Sequence, residues 1–368
     1  MIGHLIFKDG TTFEGISFGS KKGKAGEVVF STGMAGYPES MTDPSYQGQI
    51  LTLTYPIIGN YGVPERKYWE SPSIKVSGLV VSNYNDTPSH HLSKRSLSQW
   101  LIDEDIPAVQ IKDTRALTQK LRDEGSQLGK IVIENDVEFY DPNKENLVSK
   151  VSVKKISVQK AFSPRKTKNI LYIDCGGKRN MISCLQRRGA NVIVVPWDFN
   201  PLDSEKKLHE LMKEQGIALH IDGFVVSNGP GDPKFVDKTI QTTKQLMETK
   251  KPILGICLGN QLLCLAGGGN TKKLKFGHRG QNGPCIMEGT NLPAGRQGRC
   301  YITTQNHGFA VSELPKGFKT WFTNANDGSN EGIIHTKLPF MSVQFHPEAT
   351  PGPQDTEWIF DYFLDKIK

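Results

Sequence analysis

The residues PILGICLGNQLLCLAGG, 252–268, place one cysteine where chemistry could begin. An apolar run reaches Cys257, glycines stand at 255 and 259, and a helical pattern follows. Such a strand-to-helix elbow leaves no room for side chains on either flank of the nucleophile, which is why glycine is needed at both. It presents the thiol at a helix N-terminus, where free N–H groups and the helix dipole suit a thiolate. The N–H of Leu258 is then available to a developing oxyanion. A cysteine on a buried strand is otherwise a small core residue, and Cys264, further along the same pattern, is expected to be one.

A cysteine nucleophile needs a base. QFHPE, 344–348, follows an apolar strand pattern and supplies His346, with Pro347 stiffening the turn and Glu348 in reach to orient the imidazole and balance its charge. A third segment, SNGPGDP at 227–233, is a glycine turn after the strand GFVV, able to turn successive N–H groups toward an anionic centre.

The elements that must position these residues read as α/β. From Asn169, strands (NILYID, NVIVVP, GFVV, PILGI) alternate with helical stretches, which implies a mostly parallel sheet with chemistry at the carboxyl ends of its strands. β-Rich stretches follow, from RCYITTQNHGFAV to FMSVQF, and DTEWIFDYFLDKIK reads as a closing helix. The first 150 residues are β-rich at their start: Asp9-Gly10 between two alternating runs signals a hairpin, and GEVVFSTG, QGQILTLTYP and SIKVSGLVVS read as strands. Leu92, Leu97, Trp100 and Leu101 have helical spacing, and a further helix runs ALTQKLRDEG, capped by Asp113 or Thr114 and stopped at Gly125. Residues 151–168 read as a linker, giving domains at 1–150 and 169–368, and the polar stretch from about 140 has room for one short strand.

GICLGNQ, SNGPGDP and HPE, in this order, resemble the class I, triad-type glutamine amidotransferases over residues 169–368. The resemblance implies glutamine hydrolysis through a cysteinyl thioester, with Cys257 as nucleophile, His346 as general acid and base, Glu348 as its orienter, and the N–H groups of Gly229 and Leu258 as oxyanion hole. Residues 26–62, DTRALTQKLRDEGSQLGKI at 113–131 and FGHRGQN at 276–282 resemble the small subunit of carbamoyl phosphate synthetases, whose N-terminal domain other class I amidotransferases lack. The implied fold is α/β: a β-rich N-terminal domain, then an amidotransferase domain with a mostly parallel central sheet. The implied glutamine contacts are Ser45, Gly229, Gly231, Leu258, Gln261, Asn306, Gly308 and Phe309. Ser45 comes from the other domain, so the active site is expected near the interdomain cleft. A large synthetase subunit is the implied partner, using ammonia, bicarbonate, ATP and magnesium to make carbamoyl phosphate for arginine and pyrimidine synthesis. No cofactor or metal is expected on this chain, and small–large pairs could assemble further. A free-standing glutaminase and a decayed regulatory subunit of the same fold stand as alternatives. Two positions depart from the family pattern. Asn260 stands where the family usually has histidine, and residues 288–298 read as a longer surface excursion.

Composition is that of an ordinary soluble globular protein. Of 368 residues, 37% are hydrophobic and 23% charged, with no apolar run long enough for a membrane span. The start of the chain reads as strand and turn rather than signal peptide, so a cytosolic location is expected. The six cysteines form no CxxC pair, which argues against zinc, and they are expected to be reduced. The net charge of +7 is scattered, giving no nucleic-acid signature.

Overall fold

The structure is a computed structural model that describes residues 1–163, 167–291 and 297–367. The chain divides into two compact units: residues 1–147 with 274–281 and 350–352, and residues 148–273 with 282–349 and 353–368.

The first unit is built on β1 (Ile2–Phe7), β2 (Thr12–Ser17), β3 (Lys24–Ser31), α1 (Tyr37–Thr42), β4 (Gln49–Leu53), β5 (Gly78–Val81), α2 (Leu97–Asp103), β6 (Ala108–Gln110), α3 (Thr114–Glu124) and β7 (Gln127–Val132). The strands close into a barrel in the order β1-β2-β6-β5-β4-β3-β7. β3 to β6 run parallel, and β1, β2 and β7 complete the ring with antiparallel pairings. Successive strand residues face opposite sides, and here both sides are apolar. Val28, Ile50, Val80 and Val109 pack with Leu117 and Leu121 of α3. Their neighbours Val29, Leu51, Leu79 and Ala108 pack with Trp100 and Leu101 of α2 and with Trp69.

The hairpin expected at Asp9-Gly10 joins β1 to β2, and Asp113 caps α3 by accepting from the Ala116 N–H at 2.8 Å. Gly125, at φ +97°, stops that helix. The helix expected to include Leu92 is shorter. Val63 pairs with Arg95 and holds residues 94–95 extended, so α2 starts only after Ser96, whose hydroxyl accepts from the Gln99 N–H at 3.2 Å.

The second unit continues with α4 (Val148–Val151), β8 (Ser157–Gln159), β9 (Lys168–Asp174), α5 (Arg179–Arg187), β10 (Ala190–Pro196), α6 (Glu205–Glu214), β11 (Gly223–Val226), α7 (Asp237–Glu248), β12 (Ile253–Ile256), α8 (Leu258–Ala266), β13 (Asn270–Asn291, whose residues 274–281 belong to the first unit), β14 (Gln297–Glu313), β15 (Phe318–Asn324), β16 (Asn330–His335), β17 (Phe340–Val343) and α9 (Trp358–Leu364). Its ten strands lie in the order β14-β13-β15-β16-β17-β12-β11-β9-β10-β8. The run β17-β12-β11-β9-β10 is parallel throughout. Alternation again sorts the core into two layers. Ile170, Tyr172, Val192, Val225 and Leu254 pack with α5 and α9. Leu171, Ile173, Ile193, Val226 and Ile253 pack with α6, α7 and α8. Both faces of the parallel strands are therefore covered, which explains their near-continuous apolar sequences.

The stretch read as a linker begins at the last residue of α4 and holds β8, which pairs antiparallel with β10. Of the expected 288–298 excursion, residues 288–291 end β13 and 297–298 begin β14, while 292–296 lie outside the described residues. Among the described residues, no helix is long and apolar enough to cross a membrane.

The largest apolar anchor of the first unit is a tryptophan pair. Trp69 and Trp100 pack with ring centroids 4.6 Å apart, and the Trp100 indole N–H donates to Glu104 Oε1 at 2.7 Å. Trp100→Ala is expected to destabilise the chain by about 3–5 kcal/mol, measured by urea denaturation. A loss below about 1 kcal/mol would show that the pair does not anchor the barrel's outer layer.

Candidate active site

Four neighbouring parallel strands deliver the candidate residues at their carboxyl ends. β12 ends at Ile256 and hands over to Cys257, β11 leads into Ser227-Asn228-Gly229, β17 leads to His346, and β9 leads to Lys178. Cys257 has φ +55° and ψ −102°, a conformation that non-glycine residues rarely adopt and that stores strain at nucleophile elbows. Its N–H donates to Val343 O at 2.8 Å, and its carbonyl accepts from the Asn260 N–H at 3.1 Å at the start of α8. The flanking glycines are sterically required. A Cβ on Gly259 would lie 2.0 Å from Val226 O, and one on Gly255 would lie 2.4 Å from Gly259 O. Gly229 faces the first residue of α8 across a similar gap: its added Cβ would meet Cys175 O at 2.2 Å and Leu258 Cδ2 at 2.8 Å. Gly231 uses its freedom differently, at φ +86°.

His346 and Glu348 are both buried, and His346 Nδ1 donates to Glu348 Oε1 at 2.7 Å. The His346 N–H donates to Thr304 O at 2.9 Å, which fixes the turn against β14. Among the described residues Nε2 has no hydrogen-bond partner other than the Cys257 side chain, which also acts on the ring electrostatically. The Cys257 thiol itself donates weakly to Asn306 O at 3.6 Å.

A lysine completes the charge chain. Lys178 is 1% exposed, its ammonium lies 3.1 Å from Glu348 Oε1, and it also donates to Ala349 O. Burial alone would raise the Glu348 carboxyl, but the charges of Lys178 and then His346 outweigh it and hold the carboxyl down at about 2. Burial likewise pulls the His346 imidazole down, and its electrostatic and hydrogen-bond interactions with Glu348, and then with the Cys257 side chain, overcome this and lift it to about 10. Burial leaves the other core cysteines inert: the Cys175, Cys184 and Cys285 thiols are pushed well up, and Cys264 is pushed up to about 12.

The remaining candidates of this unit surround the elbow. Gln261 Nε2 donates to Phe309 O at 2.9 Å and to Gln344 Oε1 at 3.2 Å. Asn306 and Phe309 are buried, with half-buried Gly308 between them. The His307 ring spans Phe309 O at 2.8 Å and Gln305 Oε1 at 3.0 Å, bracing this segment. Asn260 is buried and bonded at both ends of its amide: its Nδ2 donates to Gln344 Oε1 at 3.1 Å and its Oδ1 accepts from the Ser342 hydroxyl at 2.8 Å. Ser45 belongs to the first unit, buried in a short turn where its N–H donates to Asp43 Oδ1 at 2.9 Å. Lys178, Thr304 and His307 escaped the sequence reading. The one available signal was a lysine directly behind a strand and two glycines, in DCGGKRN.

A covered, mostly parallel sheet with a cysteine elbow at its carboxyl edge is the architecture of a class I glutamine amidotransferase domain. Residues 171–366 match the family model for glutamine amidotransferase class-I, and residues 5–131 match that for the carbamoyl-phosphate synthase small chain, CPSase domain. The chain belongs to the class-I glutamine amidotransferases, in the form that carries the carbamoyl-phosphate synthase small-chain domain. It is 47% identical over 407 residues to the multifunctional protein URA2 of Saccharomyces cerevisiae, covering 99% of this chain and 17% of that one. It is 47% identical over 377 residues to the multifunctional protein CAD of Squalus acanthias, covering 98% of this chain and 16% of that one. It is 45% identical over 378 residues to the mitochondrial carbamoyl-phosphate synthase (ammonia) of Homo sapiens, covering 99% of this chain and 24% of that one. The chain thus spans a quarter or less of the length of these relatives. A solved glutamine amidotransferase structure from Thermotoga maritima overlaps 54% of this chain and 83% of its own, at 18% identity and a TM-score of 0.35.

The charge chain carries a pH signature. With its folded value raised from 6.5 to about 10, His346 contributes stability that is complete below pH 6.5 and lost as pH rises through about 10. With its value lowered from 4.5 to about 2, Glu348 contributes stability that is complete above pH 4.5 and lost as pH falls through about 2. The stability difference between wild type and His346→Gln is therefore expected to be largest between pH 4.5 and 6.5 and to shrink steadily toward pH 10. Urea denaturation of both proteins across that range checks this, and a difference that grows with pH would contradict an imidazolium in the folded state.

Proposed function

We propose that this chain is the glutamine-hydrolysing component of a carbamoyl phosphate synthetase. The observation that carries the reading is Cys257, raised on a strained strand-to-helix turn beside the buried His346–Glu348 pair. In this reading the Cys257 thiolate attacks the carboxamide carbon of L-glutamine, and its former proton sits on His346. The carbonyl oxygen takes the negative charge and is met by the N–H groups of Leu258 and Gly229. His346 passes its proton to the departing nitrogen, ammonia leaves, and a glutamyl thioester remains on Cys257. His346, neutral again, removes a proton from water as it attacks the thioester, releasing glutamate and restoring the thiolate–imidazolium pair. Glu348, held ionised by Lys178, fixes the ring and stabilises its charged form. Gln261, Asn306, Gly308, Phe309, Gly231 and Ser45 are assigned to holding glutamine.

Ammonia is then used with bicarbonate by a synthetase portion that consumes ATP and magnesium, either a separate large chain or a fused segment. The lengths of the relatives support a fused segment, and the match to the small-chain family model supports a separate chain. No cofactor is assigned to this chain, and the product would serve pyrimidine and arginine synthesis. A cytoplasmic setting is proposed, although the human relative is named as mitochondrial. Asn260 is not assigned to the chemistry, because both ends of its amide are engaged in the core.

Glutamate release from glutamine tests this reading, for wild type and Cys257→Ser, with and without the synthetase portion plus ATP and bicarbonate. Release is expected to rise sharply with the synthetase portion and to fall roughly a thousandfold or more in the variant. Full-rate release by the chain alone would favour a free-standing glutaminase. Release that survives in Cys257→Ser would remove Cys257 from the mechanism.

A further inference from the structure

The first unit carries a polar cavity of about 440 Å³, lined by Lys24, Gln47, Arg66, Ser73, Lys75 and Glu104 among others. Lys24 and Lys75 share it with one carboxylate, Glu104, which is already committed, and with Arg66, whose guanidinium lies over the Trp69 ring. Glu104 Oε1 accepts from the Trp100 indole at 2.7 Å and Oε2 accepts from the Ile74 N–H at 2.6 Å, clasping the segment before β5 to the end of α2.

The two lysines are unlike their neighbours. Lys22, Lys67, Lys120 and Lys130 are each paired with a carboxylate. Lys24 and Lys75 are half-buried and, among the described residues, make no ion pair. Lys75 Nζ donates to the Ser73 hydroxyl at 3.1 Å. Asp105, whose charge reaches Lys24, is held by Lys22 at 2.7 Å. Burial lowers the pKa of both amines; the charges of Asp105 and then Glu104 only partly compensate at Lys24, where Lys22 adds to the lowering, and that of Glu104 only partly compensates at Lys75. Ammonium groups taken partly out of water without a counter-charge are destabilising unless an anion arrives.

We propose that this cavity binds a small phosphorylated anion. Its volume falls in the range of small-molecule sites. The ammonium groups and the Arg66 guanidinium supply charge and directional donors, and the Ser73 and Ser77 hydroxyls add neutral ones. No aromatic ring lines it, so the recognised group is the phosphate rather than a stacked base.

The test uses the full chain and two probes, pyrophosphate and inorganic phosphate, by isothermal titration calorimetry. Pyrophosphate is expected to bind at one saturable site, more tightly than phosphate, and at least tenfold more weakly in the Lys24→Met/Lys75→Met double variant. A second measurement needs no variant. Acetic anhydride labelling near neutral pH, read by mass spectrometry, should modify Lys24 and Lys75, and pyrophosphate should protect these two but not Lys67. Absence of saturable binding, undiminished binding in the double variant, or protection confined to other lysines would overturn the proposal. Saturation by a short polyglutamate peptide in preference to pyrophosphate would overturn it in favour of an acidic protein segment.

Discussion

One backbone conformation governs the second unit. Cys257 occupies a positive φ that its own Cβ opposes, and it stays there because the residues on both sides leave it no alternative. Its N–H is tied to β17 and its carbonyl opens α8. The turn closes only because Gly255 and Gly259 let backbone approach backbone, with Val226 O pressing where a side chain of residue 259 would begin. The same closeness brings the first turn of α8 against Gly229, so the main chain after β11 meets the start of the helix after β12. The strain at one residue is thus compensated by packing across three strands, β11, β12 and β17.

The second constraint is electrostatic. A carboxylate and an imidazolium are both fully buried, and each would prefer its neutral form if alone. Lys178 changes this. With two cations around Glu348, the carboxylate remains ionised, and an ionised Glu348 keeps the imidazole protonated. The cost of burying three charges is offset by their mutual attraction and by the hydrogen bond that Lys178 donates to Ala349 O, while the Asn180 amide, donating to the Glu348 carbonyl, holds the main chain there in place. The result is a preset proton on the ring that faces the thiol.

Much of this was legible in the sequence, for reasons that differ between elements. The elbow showed because glycines at fixed offsets are a steric necessity, and the alternating strands and helices showed because both faces of the parallel strands are buried. The barrel was less visible. β6, three residues long, offers no periodicity, and closure depends on pairings between distant segments that no local pattern encodes. The helix at 97–103 was overextended because Leu92 shares its spacing, while a long-range bridge to Val63 decides where it begins. Lys178 was invisible for another reason. A lysine is ordinarily a surface residue, and only the fold brings β9 and β17 close enough to make it a buried counter-ion.

Closure of the first unit also restricts how it can associate. An open sheet ends in strands whose unpaired N–H and C=O groups can recruit a strand from another molecule. The ring β1-β2-β6-β5-β4-β3-β7 has no such end. Any protein that recognises this unit must do so through side chains and loops, whose identity varies freely, rather than through main-chain augmentation, which tolerates almost any sequence. The barrel is in that sense built for selective company.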